Sequence, residues 1–258
     1  MRKCVELVIL SLCFAGLGCQ GLTQGKMEWV QTTSDKPRAG NVYLVRGLIG
    51  VFSTGMDELQ AKLDSAGVRA HVFQDAQHAY LADELIKTYK NAKDPEPLVL
   101  IGHSYGADDV VTISRKLAAH NIPVDLLVTV DATTPPKVPG NVAVCYNYFQ
   151  SQITDGIPMF RGIPLEQDEP AKVKLTNINL RKDRTDLLMP GTNHINIDKN
   201  TRVHSAIVEQ VLESCPTRQA WVSRQGRGAS PAAPKINAVS DGSKSPPARH
   251  VQGASPNE

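Results

Sequence analysis

The chain has 258 residues, with 28 Lys and Arg against 26 Asp and Glu and a formal net charge of +2. A charge so close to balance argues against nucleic acid or an anionic membrane surface as the partner. Hydrophobic residues make up 41% of the sequence, which favours a single globular domain with tails.

The N-terminus has the pattern of a secretory signal peptide. Basic residues 2–3 precede an apolar run, residues 7–18, which is too short to span a bilayer comfortably. Residues 16–19, Gly-Leu-Gly-Cys, resemble a bacterial lipobox, in which Cys19 would be lipidated and attach the protein to a membrane. The alternative is cleavage nearby without a lipid. In both cases, residues 1–19 predict export to the periplasm, the cell envelope or the outside.

The rest of the chain divides into three parts. Residues 20–40 are polar with Gly, Thr, Ser and Pro, and are predicted to be a linker. Residues 41–216 alternate strand-like apolar runs with helical repeats, which predicts an α/β domain whose mostly parallel sheet has helices on both faces. Residues 217–258 are rich in Ser, Pro, Ala and Gly and hold few large apolar side chains, so they are predicted to be a disordered tail.

Hydrophobic periodicity locates the elements of this domain. Strands are predicted at 42–45, 68–73, 97–101 and 124–130, with further candidates at 141–148 and 173–180. Helices are predicted at 56–66, 79–89, 107–118 and 200–214. The irregular apolar segment at 150–172 is expected to form a pocket wall or a small lid, or to pack over the sheet edge. Its shortness predicts an open site with a small cap or none.

The most informative stretch joins the strand at 97–101 to the helix that follows it. Between them lie residues 102–106, Gly-His-Ser-Tyr-Gly, which match the pattern Gly-x-Ser-x-Gly. A strand that turns into a helix within a few residues places Ser104 at the apex in a strained conformation, and the glycines allow close approach. The alternative is a tight turn in which Ser104 merely caps the helix.

In this context the motif resembles the nucleophile elbow of the α/β-hydrolase superfamily, which contains lipases, esterases and thioesterases. The resemblance covers roughly residues 40–215. It implies an α/β-hydrolase fold and a catalytic serine, followed along the chain by an acid and then a histidine. Residues 46–50, Arg-Gly-Leu-Ile-Gly, resemble the superfamily's His-Gly-x-x-Gly oxyanion loop with Arg in place of His, or are an ordinary turn.

A serine hydroxyl needs a general base, and the base needs an orienting acid. His194 lies in a turn-rich segment before the last helix, where the resemblance places the base. Asp131 directly follows the fourth strand, at the sheet edge where catalytic residues gather. We therefore predict the triad Ser104, Asp131 and His194, with Asp186 and then Asp155 as alternatives for the acid.

The expected oxyanion donors are the backbone N–H groups of Tyr105 and Leu48. Among the other histidines, His103 is expected to point away from the apex, and His204 falls within the last helix. The remaining ones precede the nucleophile, end its helix or lie in the tail: His71, His78, His120 and His250.

The other polar groups receive structural interpretations. Asp108 and Asp109 lie in the first turn of the helix after the nucleophile, where they complement its dipole. Cys145 and Cys215 are the cysteines of the predicted domain, and they either pair or are two separate buried thiols. No Cys/His spacing indicates a metal site, and no cofactor is predicted.

These observations predict an exported serine hydrolase that cleaves carboxylic ester or thioester bonds through an acyl-enzyme intermediate. The substrate would be a small-molecule or lipid ester. The alternative is a catalytically silent binding module of the envelope with the same fold. The sequence leaves the acyl chain length and the oligomeric state open.

Overall fold

The computed structural model describes residues 23–47, 53–150 and 162–225. Within these ranges the strands are β1 (Asn41–Val45), β2 (Arg69–Phe73), β3 (Leu98–His103), β4 (Val124–Val130), β5 (Val142–Phe149) and β6 (Lys174–Asn179). The α-helices are α1 (Gly55–Ser65), α2 (His78–Tyr89), α3 (Tyr105–Ala118), α4 (Thr201–Ser214) and α5 (Arg218–Gln225).

The six strands form one sheet in the order β2-β1-β3-β4-β5-β6. Every neighbouring pair is parallel, which confirms the predicted α/β class. The chain runs outward from β1 to β2 and then returns to the other side of β1 to form β3. Ligands of open α/β sheets bind outside the carboxyl ends of the strands at such a reversal, which here lies between β1 and β3.

Apolar helices cover both faces of the sheet, as predicted. Alternate residues of β1 point to opposite faces, so Leu44 belongs to one core cluster and Tyr43 to the other. The first cluster includes buried residues of α1 and α4, such as Leu59 and Ile207. The second holds α2 and α3, through residues such as Leu85. All six residues of β3 are buried, because it lies in the middle of the sheet with helices on both sides.

The segment predicted to be a linker is instead packed on the domain. Gly25 donates its N–H to Gln77 Oε1 over 2.7 Å and accepts a bond from Gln77 Nε2 over 2.9 Å. Ala70 of β2 donates to the carbonyl of Gln31 over 3.3 Å. The physical reason is that β2 is an edge strand, whose outer backbone groups need partners. The part of the segment at Gln31 therefore covers that edge.

The prediction of a disordered tail from residue 217 is wrong for its first turns, because α5 is a helix. Arg218 forms an ion pair with Glu96, and Trp221 lines a cavity together with Tyr89 and Leu98. Composition averaged over the tail does not reveal this ion pair, because it depends on a residue far away in the chain. Residues 226–258 lie outside the described residues.

The predictions for the N-terminus also fall outside the described residues. Residues 1–19, with Cys19, therefore remain a sequence-based prediction of export. In the ranges 23–47, 53–150 and 162–225, no helix has the length and apolar character needed to cross a bilayer.

The two cysteines of the domain are separate buried thiols. Cys145 belongs to the core cluster of α2 and α3, and Cys215 to that of α1 and α4, so they lie on opposite faces of the sheet. Burial raises the pKa of both thiols, that of Cys215 to about 12. Neither thiol is reactive in the folded protein, because the reactive form is the thiolate.

We therefore expect both thiols to react with a disulfide reagent only after unfolding. Unfolding in denaturant without reductant should expose two additional thiols per chain, and one in a Cys215→Ser variant. If unfolding exposes no additional thiol until a reductant is present, the two cysteines are paired.

Candidate active site

Ser104 lies at the turn between β3 and α3 with φ 58° and ψ −125°. A non-glycine residue rarely adopts a positive φ, so this conformation must be held by its surroundings. The flanking glycines are required for the close approach. A Cβ on Gly102 would lie 2.1 Å from the oxygen of Gly106, and one on Gly106 would lie 2.3 Å from the oxygen of Arg46. The structure thus has the predicted elbow.

The structure brings the three predicted triad residues together. Ser104 Oγ lies 2.8 Å from His194 Nε2, and His194 Nδ1 lies 3.3 Å from Asp131 Oδ2. All three residues are buried, and Asp131 is wholly inaccessible to solvent. The second distance is slightly long for a hydrogen bond, as is common before a substrate is bound. The arrangement lets the imidazole take a proton from Ser104 while the carboxylate orients the ring.

Backbone and side-chain donors hold the Asp131 carboxylate in place. Its Oδ1 accepts the N–H of Gln150 over 3.0 Å, and its Oδ2 faces Gln150 Nε2 at 3.4 Å. Arg181 in turn donates to Gln150 Oε1 over 3.2 Å. Because Gln150 is anchored from the far side, it orients the carboxylate toward His194.

The alternative acids are placed differently. Asp186 is exposed and forms an ion pair with Arg184 over 2.8 Å, and the hydrogen bond from Arg184 lowers the pKa of Asp186. Asp155 lies outside the described residues. The acid that the structure places beside His194 is therefore Asp131.

Gly162 closes the cavity around Asp131. A Cβ on this glycine would lie 2.1 Å from Asp131 Oδ1. The next residue, Ile163, donates its N–H to the oxygen of Ala132 over 3.1 Å. The segment that returns to the domain at residue 162 is therefore packed directly against the acid, and only a glycine fits there.

Two asparagine side chains, the buried Asn147 and the exposed Asn177, fasten this returning segment to the sheet. Asn147 accepts from Thr129 Oγ1 over 2.9 Å and donates to the oxygen of Ile163 over 2.8 Å. Asn177 bonds both the N–H and the oxygen of Leu165, over 2.7 and 3.0 Å. Part of the segment predicted to be a pocket wall or lid is thus a fixed cover over the acid. Residues 151–161 lie outside the described residues.

Asparagines build the turn that carries His194. Asn193 accepts the N–H of Ile195 over 2.9 Å, and Asn196 accepts the N–H of Asn193 over 2.7 Å. Gly191, with φ 77°, lets the chain reverse. Short polar side chains and a glycine favour such turns because they bond the local backbone.

Asp198 ties the histidine turn to α1. Its Oδ2 accepts the N–H of Gly55 over 2.8 Å, and burial raises its pKa to about 6 despite this bond. Asn200 caps the start of α4 by accepting the N–H groups of Arg202 and Val203, whereas Asp198 bonds the start of α1.

The predicted oxyanion donors are only partly described. Tyr105 is the first residue of α3, so its N–H belongs to the helix end that lacks intrahelical acceptors. Leu48 lies outside the described residues. Gly47, just before it, passes close to the nucleophile, because a Cβ there would lie 2.9 Å from Ser104 Cβ.

Arg46 takes the position of the histidine in the resembled oxyanion loop. Its side chain is buried and forms an ion pair with Asp57 of α1. Its N–H donates to the oxygen of Phe73 over 3.0 Å. These contacts fix the start of the loop without involving the arginine in the triad.

Asp108 has a more specific role than the dipole complement that we predicted. It is nearly inaccessible and accepts the N–H and the hydroxyl of Thr133, over 2.9 and 2.6 Å, and the N–H of Thr134 over 2.9 Å. Burial raises its pKa above the usual range, and these bonds oppose the rise. Asp108 therefore holds the turn that follows Asp131. Its neighbour Asp109 does not share these bonds, and burial raises its pKa to about 6.

We predicted only that His103 points away from the apex, and the structure adds contacts of its ring with two segments of the site. The ring is buried between two segments of the site, with Nδ1 2.8 Å from Ser53 Oγ and Nε2 3.0 Å from the oxygen of His194. Burial, with the nearby charge of His194 as a smaller cause, lowers the pKa of His103 to about 3. Sequence spacing does not predict this role, because it does not show which segments of the chain a residue next to Ser104 will contact.

The strand order, the elbow at the end of β3 and the chain order Ser, Asp, His agree with the α/β-hydrolase arrangement that the sequence resemblance implies. In the part of the chain that the structure describes, no group of three or more His, Cys, Asp and Glu is placed to hold a metal ion.

Comparisons with known proteins give distant likenesses. No protein-family model matches the sequence, and no curated protein matches it significantly. The NocB thioesterase domain from the nocardicin cluster is 15% identical, with a TM-score of 0.44 over 68% of this chain and 95% of its own. The esterase domain of a Rhodothermus marinus protein is 13% identical, with a TM-score of 0.40 over 70% and 89%.

XC6422 from Xanthomonas campestris, described as an α/β serine hydrolase without a lid, is 12% identical. Its TM-score is 0.41 over 72% of this chain and 88% of its own. At these distances the assignment of the fold rests on the chain's own strand order and site geometry.

We expect Gly162→Ala to lower kcat/KM on the order of 100-fold, because the added methyl group displaces Asp131 and a shift of about 1 Å can cost that much. Gly140→Ala is the matched control. Its Cβ would also meet a carboxylate, 2.3 Å from Glu169 Oε1, but that side chain is half-exposed and can move. Equal activity of the two variants would contradict the tight fit at Asp131.

Asp198 predicts a pH dependence of stability. Its folded-state pKa of about 6 lies above the value of about 4 in the unfolded chain, so folding favours the protonated form. The quantity to compare is the difference in free energy of unfolding between the wild type and Asp198→Asn. This difference should fall as pH rises from about 4 to about 6 and then level off.

Urea unfolding at a series of pH values measures this difference. Asp186→Asn is the control, because the pKa of Asp186 is lowered and its contribution should not fall over the same window. A difference for Asp198→Asn that rises with pH would contradict the expected sign.

Proposed function

We propose that the protein hydrolyses carboxylic ester or thioester bonds through an acyl-enzyme formed on Ser104. The observation that carries this proposal is the contact chain from Ser104 Oγ to His194 Nε2 and from His194 Nδ1 to Asp131, at the carboxyl end of the central strand. Each member has the chemistry that its place requires: a nucleophile, a titratable base and a buried carboxylate.

The first half of the reaction transfers the acyl group to the enzyme. His194 Nε2 takes the proton of Ser104 as Oγ attacks the carbonyl carbon. The developing oxyanion is stabilised by the N–H of Tyr105 and by a second donor from the loop that begins at Gly47. His194 then gives its proton to the leaving alcohol or thiol, and the carbon–oxygen or carbon–sulfur bond breaks.

The second half repeats these steps with water. His194 removes a proton from water as its oxygen attacks the acyl carbon, and it returns the proton to Ser104 Oγ as the acid leaves. Asp131 favours the imidazolium that forms in both halves. Because Asp131 is buried, water does not screen this interaction, and the carboxylate orients the ring as well as stabilising its charge.

The cellular location is part of the same proposal and rests on the N-terminal sequence alone. The apolar run at residues 7–18 after two basic residues supports export, and Cys19 supports attachment by a lipid. A Cys19→Ser variant that leaves the membrane fraction for the soluble exported fraction would support lipidation. A wild type that stays in the cytoplasm would exclude export.

The decisive experiment treats the purified protein with a fluorophosphonate probe and with p-nitrophenyl esters and acyl thioesters of varied chain length. We expect labelling and turnover to disappear in Ser104→Ala, and turnover to fall on the order of 10⁴-fold in His194→Ala and Asp131→Asn. Ser114→Ala and Asp186→Asn are matched controls, since both residues lie outside the triad, and they should retain full activity.

The outcomes separate the competing hypotheses. Undiminished turnover in Asp131→Asn would exclude Asp131 as the acid. A folded wild type that neither labels nor turns over any of these substrates would contradict the hydrolase and favour the silent binding module. The preferred chain length and the ratio of ester to thioester rates define the substrate class.

A further inference from the structure

His103 joins two separate segments of the site through its two ring nitrogens. On one side, Nδ1 lies 2.8 Å from Ser53 Oγ, and Ser53 Oγ accepts the N–H of Gly47 over 3.0 Å. On the other side, Nε2 lies 3.0 Å from the carbonyl oxygen of His194. Ser53 and His103 are both only 2% exposed, so water does not compete for these bonds.

The direction of each bond follows from the groups involved. A carbonyl oxygen only accepts, so Nε2 of His103 must carry a hydrogen and donate it to His194. Because burial holds the ring neutral, Nδ1 has no hydrogen and accepts the hydroxyl of Ser53. One tautomer therefore satisfies all the partners, and the chain of donors runs from Gly47 through Ser53 to His103, with His103 in turn donating to His194.

The two joined segments carry different parts of the proposed reaction. Gly47 and Ser53 flank the segment that contains the predicted oxyanion donor Leu48, and Gly47 lies directly against Ser104. His194 is the general base. A second tie between the same regions is the bond from the N–H of Gly55 to Asp198.

We propose that His103 is a positioning residue that keeps the general base and Gly47 at a fixed spacing around Ser104. This inference rests on the proposed function. His103 touches neither the nucleophile oxygen nor the substrate in this role, and it exchanges no proton. It acts by fixing the backbone of His194, whose ring then meets Ser104 Oγ, and by fixing Ser53, which bonds the N–H of Gly47.

A neutral ring is essential to this role. The imidazolium of His194 forms during each half of the reaction, and the centroids of the two rings are only 5.6 Å apart. A second positive charge there would oppose the imidazolium. His103 in its Nε2–H tautomer provides a hydrogen bond to the same residue without adding charge.

The role predicts which kinetic constant changes. Base and oxyanion donor act on the transition state, so their misplacement lowers kcat with little change in KM. A residue that only stabilises the fold would instead lower the fraction of folded protein. The rate per active site, titrated with the fluorophosphonate probe, would then be unchanged.

The experiment compares His103→Leu with His103→Gln in the full chain. His103→Leu removes both bonds, and we expect kcat per titrated site to fall about 10- to 100-fold, with KM within about twofold of the wild type. His103→Gln offers an amide N–H donor and a carbonyl acceptor in a neutral side chain, and we expect it to recover most of the loss. Ser114→Ala, which alters a buried hydroxyl of α3 bonded to Val110, should leave kcat unchanged.

Ser53→Ala removes a single hydroxyl and keeps the test decisive if His103→Leu fails to fold. We expect a fall in kcat in the same direction. Where both variants fold, the double variant should lose no more than His103→Leu alone, because both substitutions break the same chain. The inference would be overturned if kcat per titrated site in His103→Leu were equal to that of the wild type. If His103→Leu does not fold, the same result in Ser53→Ala would overturn it.

Equal losses in His103→Gln and His103→Leu would also overturn it, since hydrogen bonding would then not be the cause. Failure of the proposed function has a different signature. In that case the wild type itself neither labels nor turns over, and the inference about His103 falls with it.

Discussion

The strained backbone of Ser104 is the constraint on which the rest of the structure depends. Its positive φ costs on the order of 1–3 kcal/mol, which the surroundings must offset. The N–H of Ser104 bonds the oxygen of Val130 over 2.9 Å, and the oxygen of Ser104 accepts the N–H of Ala107 over 2.9 Å. Because β3 is buried and paired on both edges, the turn cannot relax, and the hydroxyl stays directed at His194.

The acid is held by the same means. Asp131 also has a positive φ, 50°, and its N–H bonds the oxygen of Tyr148 over 2.7 Å. The turn after it is bonded by Asp108, which belongs to the helix that begins at the nucleophile. Ser104 and Asp131 are therefore parts of one hydrogen-bonded unit, and strain at both residues is maintained by the packing of neighbouring strands and helix.

Two buried polar side chains add to this alignment. Gln150 bonds the Asp131 carboxylate, and Asn147 bonds the oxygen of Ile163 in the segment that packs against Asp131. An unpaired polar group in such a place would cost about 1–3 kcal/mol, so each bond also penalises alternative packings. Together with His103 on the other side of the site, these residues fix the spacing between loops that come from distant parts of the chain.

The sequence by itself determined the α/β class and the elbow at Ser104, because apolar periodicity and a glycine-flanked serine are local patterns. The order Ser104, Asp131, His194 was predicted from the family resemblance. It did not determine the docking of residues 23–40, the helix α5 or the roles of Asp108 and His103. These depend on contacts between residues far apart in the chain: an exposed sheet edge, an ion pair at Glu96, a threonine turn and two loops. Only the tertiary structure decided them, because local propensity does not depend on which distant backbone groups need a hydrogen-bond partner.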